Sequence, residues 1–164
     1  MGTHLSASGF EKWLLDEALT LLVAGATELL LELSSGQYSL VLDDKRSGFL
    51  VVDHSNGDMP RLARSLSGGE TFLTSLALAL ALADQLLLLA ARGGARLESI
   101  FLDEGFGALD PSTLDTVASA IEALGSSGRM VGIISHVAEL AERVPVRYEV
   151  TRTSSGSTIE RVDR

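Results

Sequence analysis

Residues 99 to 134 run strand, helix, strand, and that order limits the fold more than any other feature of the chain. Ser99 to Leu102 is a short apolar strand, and Met130 to Ile134 is a second. Between them Pro111 to Leu124 reads as a helix, with proline in its first turn and Gly125 at its end. Two strands of one sheet joined by a helix lie parallel through a right-handed crossover. Their carboxyl ends then emerge at one sheet edge, where open α/β sheets bind ligands. Asp103-Glu104 follows the first strand and Ser135-His136 follows the second. An acid doublet and an imidazole are therefore predicted to form one polar cluster.

The remaining elements follow from period and punctuation. Phe10, Leu14, Ala18, Leu21, Leu22, Gly25, Leu29 and Leu33 recur at three- and four-residue steps, which predicts a helix over Leu5 to Leu33 with that apolar face. Ser34-Ser35-Gly36 stops it. Tyr38 to Leu42 and Phe49 to Asp53 read as strands joined by a polar turn at Asp43 to Gly48, and His54 to Asp58 as a second turn. Met59 to Ser65 leads into Leu66-Ser67-Gly68-Gly69-Glu70. A helix is predicted from Glu70 to about Ala91, ended by Arg92-Gly93-Gly94. Val137 to Arg143 is a short helix stopped by Val144-Pro145, and Val146 to Thr153 with Ser157 to Val162 form a closing hairpin. The expected division is an N-terminal helix over 1–35, the stub of a coiled-coil arm or an ordinary packed helix, and an α/β lobe over 36–164.

A chain of 164 residues is one domain's worth. It is 46% hydrophobic with only 5% aromatic, so its core is aliphatic. The apolar run from Leu73 to Ala91 is interrupted by Asp84-Gln85 and closed by Arg92, which favours a helix inside a globular head over a membrane span. Cysteine is absent, which excludes disulfides and thiolate metal sites, and no basic-then-apolar leader pattern opens the chain; the expectation is a cytoplasmic protein. A net charge of −9 disfavours broad non-specific binding of nucleic acid by this piece.

The chemistry concentrates in three places. In the doublet, Asp103 is assigned to Mg²⁺, a cation that takes oxygen ligands and sheds water reluctantly, and Glu104 to a water attacking a γ-phosphate. Ser67 and Glu70 have the spacing of a capping box. Gly68 and Gly69 expose backbone amides at a helix start, a weak anion site worth only about 0.3–1 kcal/mol from the dipole. Such a surface recognises a phosphate held elsewhere. Asp110, just before Pro111, is a natural N-cap and also a candidate phosphate-side contact with a neighbouring subunit. His136 is assigned a hydrogen bond to a γ-phosphate oxygen. Arg61, Arg64, Arg143, Arg147, Arg152 and Arg161 form no run and read as solvated surface; Trp13, Tyr38 and Phe106 are too scattered to stack bases. A glycine-opened helix, an acid pair and a strand-end histidine, in that order, make half of an ATP site. The G-x-x-x-x-G-K-[ST] phosphate loop does not occur in this sequence.

These residues together resemble the C-terminal half of an ABC-type ATPase head. Leu66 to Glu70 resembles the signature, with Glu in place of the transporters' usual Gln. Ile100 to Glu104 resembles the Walker B strand, Ala108-Leu109-Asp110 the D-loop, and His136 the switch histidine. The wording of Leu66 to Asp84, Phe101 to Asp110 and Gly128 to Val137 is similar to the SbcC family, the SMC-like ATPase subunits of SbcCD exonucleases, and the resemblance runs from Gln37 to Val162.

That resemblance implies the C-terminal lobe of a P-loop head, with parallel strands, flanking helices and a terminal hairpin. It implies ATP and Mg²⁺ as cofactors and an N-terminal lobe that carries Walker A and the Q-loop, both absent here. It further implies a second head in a homodimer whose nucleotide this signature serves in trans, an SbcD-like partner holding the nuclease chemistry, DNA in the full complex, and no membrane. Alone, the chain is expected to be an inactive ATPase half, whether a fragment or one member of a split head. The rival from another class is a non-catalytic interaction module that docks the missing lobe or a partner.

Overall fold

The computed structural model describes residues 7–43, 48–90, 99–126 and 128–164. The expected turn at 44–47 and the Arg92-Gly93-Gly94 helix stop lie outside those residues. The chain divides into two compact units, Met1–Leu97 and Glu98–Arg164.

In the first unit, α1 (Ala7–Leu33) packs on β1 (Tyr38–Leu42) and on α2 (Gly68–Ala90). β1, β2 (Phe49–Asp53) and β3 (Met59–Leu62) form an antiparallel sheet in that order. β3 is an addition to the expected elements. Its Pro60 and Arg61 disguise it, and proline is tolerated on β3 because it is an edge strand among the described residues, where amides facing away from the partner strand make no ladder bond. The core is aliphatic, as the composition requires: Ala26, Leu30, Leu33, Leu40, Val51, Leu73, Leu76, Ala77 and Leu80 are all buried.

The buried stripe of α1 differs from the expected one by a single step. Val23, Ala26, Leu30 and Leu33 are buried, whereas Leu22, Gly25 and Leu29 are only half-buried. α1 is apolar on several sides, so its period does not single out a face. Its first half, including Phe10, Trp13, Leu14 and Leu15, is exposed. Two bonds tie the second half to β1: the Thr27 hydroxyl donates to the Leu40 carbonyl at 2.9 Å and accepts the Leu40 amide at 3.1 Å. The helix ends in a Schellman turn. Gly36 N donates to Leu31 O at 2.6 Å and Ser35 N to Glu32 O at 3.2 Å, with Ser35 in the left-handed region at φ 52°.

In the second unit, β4 (Ser99–Asp103) pairs in parallel with β5 (Met130–Ile134), in the register Ser99↔Met130 to Asp103↔Ile134. The crossover is α3 (Pro111–Ser126), which runs one residue past Gly125. α4 (Ala138–Arg143) follows β5, and β6 (Val146–Thr153) and β7 (Gly156–Asp163) form the closing antiparallel hairpin. Leu114, Val117, Ala118, Ile121 and Leu140 are buried, and so is Phe106. One face of the parallel pair is bare: Phe101, Met130 and Ile134 are 68%, 58% and 57% exposed. Parallel strands ordinarily have both faces covered.

Candidate functional site

β4 and β5 deliver their ends to one edge because they are parallel. Asp103 is the last residue of β4, opposite Ile134. Glu104 leaves the strand with φ 57° and Gly105 follows at φ 94°, two successive left-handed residues. A carboxylate residue in that region is uncommon and locally strained. The turn is held because the Glu104 amide donates to the Ile134 carbonyl at 2.9 Å, which continues the parallel ladder by one bond. Glu104 Oε2 lies 3.0 Å from His136 Nδ1. Both side chains remain open to solvent, at 55% and 75% exposure.

His136 is confined from the other side by Gly107. A Cβ at Gly107 would sit 3.3 Å from His136 Nε2, so glycine lets the loop approach the ring. With Nδ1–H donated to Glu104, Nε2 of a neutral ring is an acceptor, and only the imidazolium donates from both nitrogens.

Asp110 begins α3 and saturates its own carboxylate. Oδ1 accepts the Ser112 and Thr113 amides at 3.0 and 3.1 Å and the Ser112 hydroxyl at 2.6 Å, and Oδ2 accepts the Thr113 hydroxyl at 2.6 Å. The Ser112 and Thr113 hydroxyls, with the two amides, hold this carboxyl well below the usual carboxylate range. Asp110 is thus the N-cap of α3.

Among the described residues, no three His, Cys, Asp or Glu side chains form a ready-made metal cage. Asp103 and Glu104 are exposed oxygen donors. That donor set suits Mg²⁺, which keeps several waters and takes one or two carboxylates beside substrate phosphates.

The glycine turn lies in the first unit. α2 starts at Gly68, two residues before the predicted start, and Ser67 is its cap. The box is reciprocal: Ser67 N donates to Glu70 Oε2 at 2.6 Å, and Glu70 N donates to Ser67 Oγ at 3.3 Å. Ser67 and Gly68 are exposed. The first amides of any helix have no intrahelical acceptor, so this end offers donors to an anion.

Sequence reasoning missed what surrounds Glu70. Arg61, read as solvated surface, forks onto that carboxylate with Nη1–Oε1 at 2.8 Å and Nη2–Oε2 at 3.2 Å. The Tyr38 hydroxyl donates to Oε1 at 3.0 Å. Burial pushes the Glu70 carboxyl up, but Arg61, the Ser67 amide and Tyr38 outweigh it and hold it at about 2. Burial and the neighbouring Glu70 push the Tyr38 hydroxyl up to about 12. The one available signal was that Arg61 stands nine residues before Glu70 in an otherwise apolar strand. Arg143 is a second correction. It binds Glu122 and Asp115 of α3 at 2.8 Å each, fastening α4, which follows His136, to the helix that Asp110 caps.

A parallel strand-helix-strand crossover with an acid doublet and a histidine at its carboxyl edge, in a chain that also carries a glycine-opened helix, defines the class: the C-terminal part of a nucleotide-hydrolase head. A solved SMC ATPase, from work on ATP-driven dimerization and DNA-stimulated activation, superposes with a TM-score of 0.72 at 19% identity, over 93% of this chain and 89% of that one. That likeness shows the fold. A family model described as SbcC/RAD50-like, Walker B motif, matches residues 41–123. The chain belongs to this SbcC/RAD50-like family. It is 45% identical to the SbcC subunit of the nuclease SbcCD of Deinococcus radiodurans over 99% of this chain. It is 47% identical to the same subunit of Clostridium acetobutylicum over 80% of this chain. The chain spans 17% and 11% of the lengths of those two relatives.

Proposed function

We propose that this chain is the C-terminal lobe of an SbcC-like ATPase head and hydrolyses ATP only when a lobe carrying the phosphate loop completes it. The observation that carries the reading is the 3.0 Å contact between Glu104 and His136 at the carboxyl edge of the parallel pair. A carboxylate next to an imidazole, both reachable by solvent, can hold a water for in-line attack and steady the phosphoryl group it attacks. Bound Mg²⁺ would supply charge neutralisation of the phosphates, with Asp103 as its protein carboxylate. Glu104 orients and deprotonates the water. His136 donates Nδ1–H to Glu104 and, in the imidazolium form that donates from both nitrogens, Nε2–H to the γ-phosphate.

In the whole protein Ser67, Gly68 and Gly69 meet the nucleotide of a second, identical head, and Asp110 lines the same junction. ATP then closes the heads, hydrolysis reopens them, and an SbcD-like partner receives that motion and cuts DNA. Residues 1–35 are the end of the returning coiled coil and 36–164 the lobe proper; the exposed apolar first half of α1 supports the former. The bare face of Phe101, Met130 and Ile134 supports a missing covering lobe. Among the described residues, no helix is long and apolar enough to cross a membrane.

The test is complementation. The chain is mixed with the phosphate-loop lobe of its family, and Mg²⁺-dependent phosphate release is measured. Turnover that vanishes in Glu104→Gln supports the reading. Tight association with no turnover replaces it with a docking module.

A further inference from the structure

The cap of α2 contains a contradiction. Its exposed amides suit an anion, yet Glu70, part of the same cap, puts a carboxylate one hydrogen bond from Ser67 N, at 2.6 Å. A phosphate approaching Ser67 and Gly68 meets a like charge, and at such range repulsion is strong wherever water is partly excluded. The resolution lies in β3. Arg61 reaches from the edge strand and forks onto both Glu70 oxygens. Its Nη2 also donates to the Ser65 carbonyl at 2.6 Å, so one guanidinium grips the turn on both sides of Leu66-Ser67. Asp53 Oδ2 stands 3.8 Å from Arg61 Nη1, behind the fork, while its other oxygen accepts the Ser55 amide and hydroxyl. Tyr38 closes the cluster on Glu70 Oε1, and Gln37 Nε2 donates to the Tyr38 oxygen at 2.8 Å. Arg61 of β3, Tyr38 of β1 and the Ser67 amide thus converge on the Glu70 carboxylate.

We propose that Arg61 is a positioning residue of the Ser67–Glu70 turn: it locks Glu70 into the cap and cancels its charge, so that the turn can accept a nucleotide phosphate. The inference rests on the reading of that turn as the phosphate-contacting signature. It assigns to Arg61 no contact with the nucleotide. A fork suits this work better than a lysine ammonium, because it neutralises and orients the carboxylate together.

The experiment uses a complete head with the phosphate-loop lobe supplied, and reads KM for ATP, kcat and ATP-dependent head pairing. Arg61→Met removes charge and fork; Glu70→Gln removes the carboxylate charge and keeps an acceptor for Ser67 N. Arg61→Met is expected to raise KM by roughly tenfold or more with kcat changed less than about threefold, a loss of uniform binding. Adding Glu70→Gln to it is expected to bring KM back to within about fivefold of the parent. An unchanged KM in Arg61→Met overturns the proposal, as does a double variant no better than Arg61→Met. Ser67→Arg reports separately on the signature reading. If it leaves head pairing intact, that reading and the proposal fall together; if it abolishes pairing while Arg61→Met behaves as the parent, only the proposal falls. Should Arg61→Met not fold by circular dichroism, the double variant decides, since it leaves neither charge unpaired. A KM within about fivefold of the parent then supports the proposal, and a larger rise overturns it.

Discussion

Glu104 and His136 are thirty-two residues apart in sequence and 3.0 Å apart in space, with the carboxylate turned toward the ring by a left-handed backbone at φ 57°. Neither residue is held there by burial. The parallel register Asp103↔Ile134 sets their separation, and the bond from Glu104 N to Ile134 O keeps the turn in place.

Glu104→Gln in a completed head is expected to slow hydrolysis by roughly 10²–10⁴-fold, since an amide cannot take the proton of the attacking water. Pairing of heads by ATP should persist. Phosphate release and sedimentation together check both halves of this expectation, and unchanged turnover would remove Glu104 from its role.

Gly107→Ala tests the confinement of the ring. In a completed head the new methyl group would stand 3.3 Å from His136 Nε2 and shift the imidazole by a few tenths of an ångström relative to Glu104. Hydrolysis should fall by roughly tenfold, the order of effect of a small misplacement of a reacting group. The thermal melt should barely move. A large drop in melting temperature with normal kcat would reverse the interpretation.

α1 should behave as two halves. Leu30 is fully buried, so Leu30→Ala is expected to cost about 2–5 kcal/mol in a urea titration. Leu14 is exposed, and Leu14→Ala should stay within about 0.5 kcal/mol. Equal losses at the two sites would mean that the first half of the helix is also packed.

Acid should weaken the first unit through Glu70. Its carboxyl is held at about 2, below the ordinary value of 4.5. A depressed carboxyl stabilises the fold above its unfolded pKa and loses that contribution as pH falls through the folded one. Stability should therefore decline between about pH 5 and about pH 2. Glu70→Gln should flatten that slope, whatever it does to stability at neutral pH. A parent and variant with parallel pH–melting curves would exclude Glu70 as the source.

Phe101→Asp addresses the bare sheet face. Phe101 is exposed and lies across Gly132 of the neighbouring strand. A charge there should leave the lobe folded and weaken its association with the phosphate-loop lobe by roughly tenfold or more, because a desolvated unpaired charge is costly in an interface. Titration calorimetry between the two lobes measures it.

The order of residues was enough wherever structure is local or forced by chirality. The strand-helix-strand run from Ser99 to Ile134 has one common handedness, so the meeting of Asp103-Glu104 with Ser135-His136 was legible in the chain itself. The spacing of Ser67 and Glu70 likewise sufficed for the capping box, and Asp110 before Pro111 for the α3 cap, since each bond spans three residues or fewer. The rest was settled by packing between distant segments. Packing chose the buried side of α1, because a helix apolar on several faces leaves the choice to its neighbours. It made an edge strand of Met59–Leu62, where proline obscured the pattern. It also turned Arg61 and Arg143 from scattered cations into clamps. Long-range ion pairs join residues whose spacing in the chain carries no period, so only the folded backbone brings a guanidinium to its carboxylate.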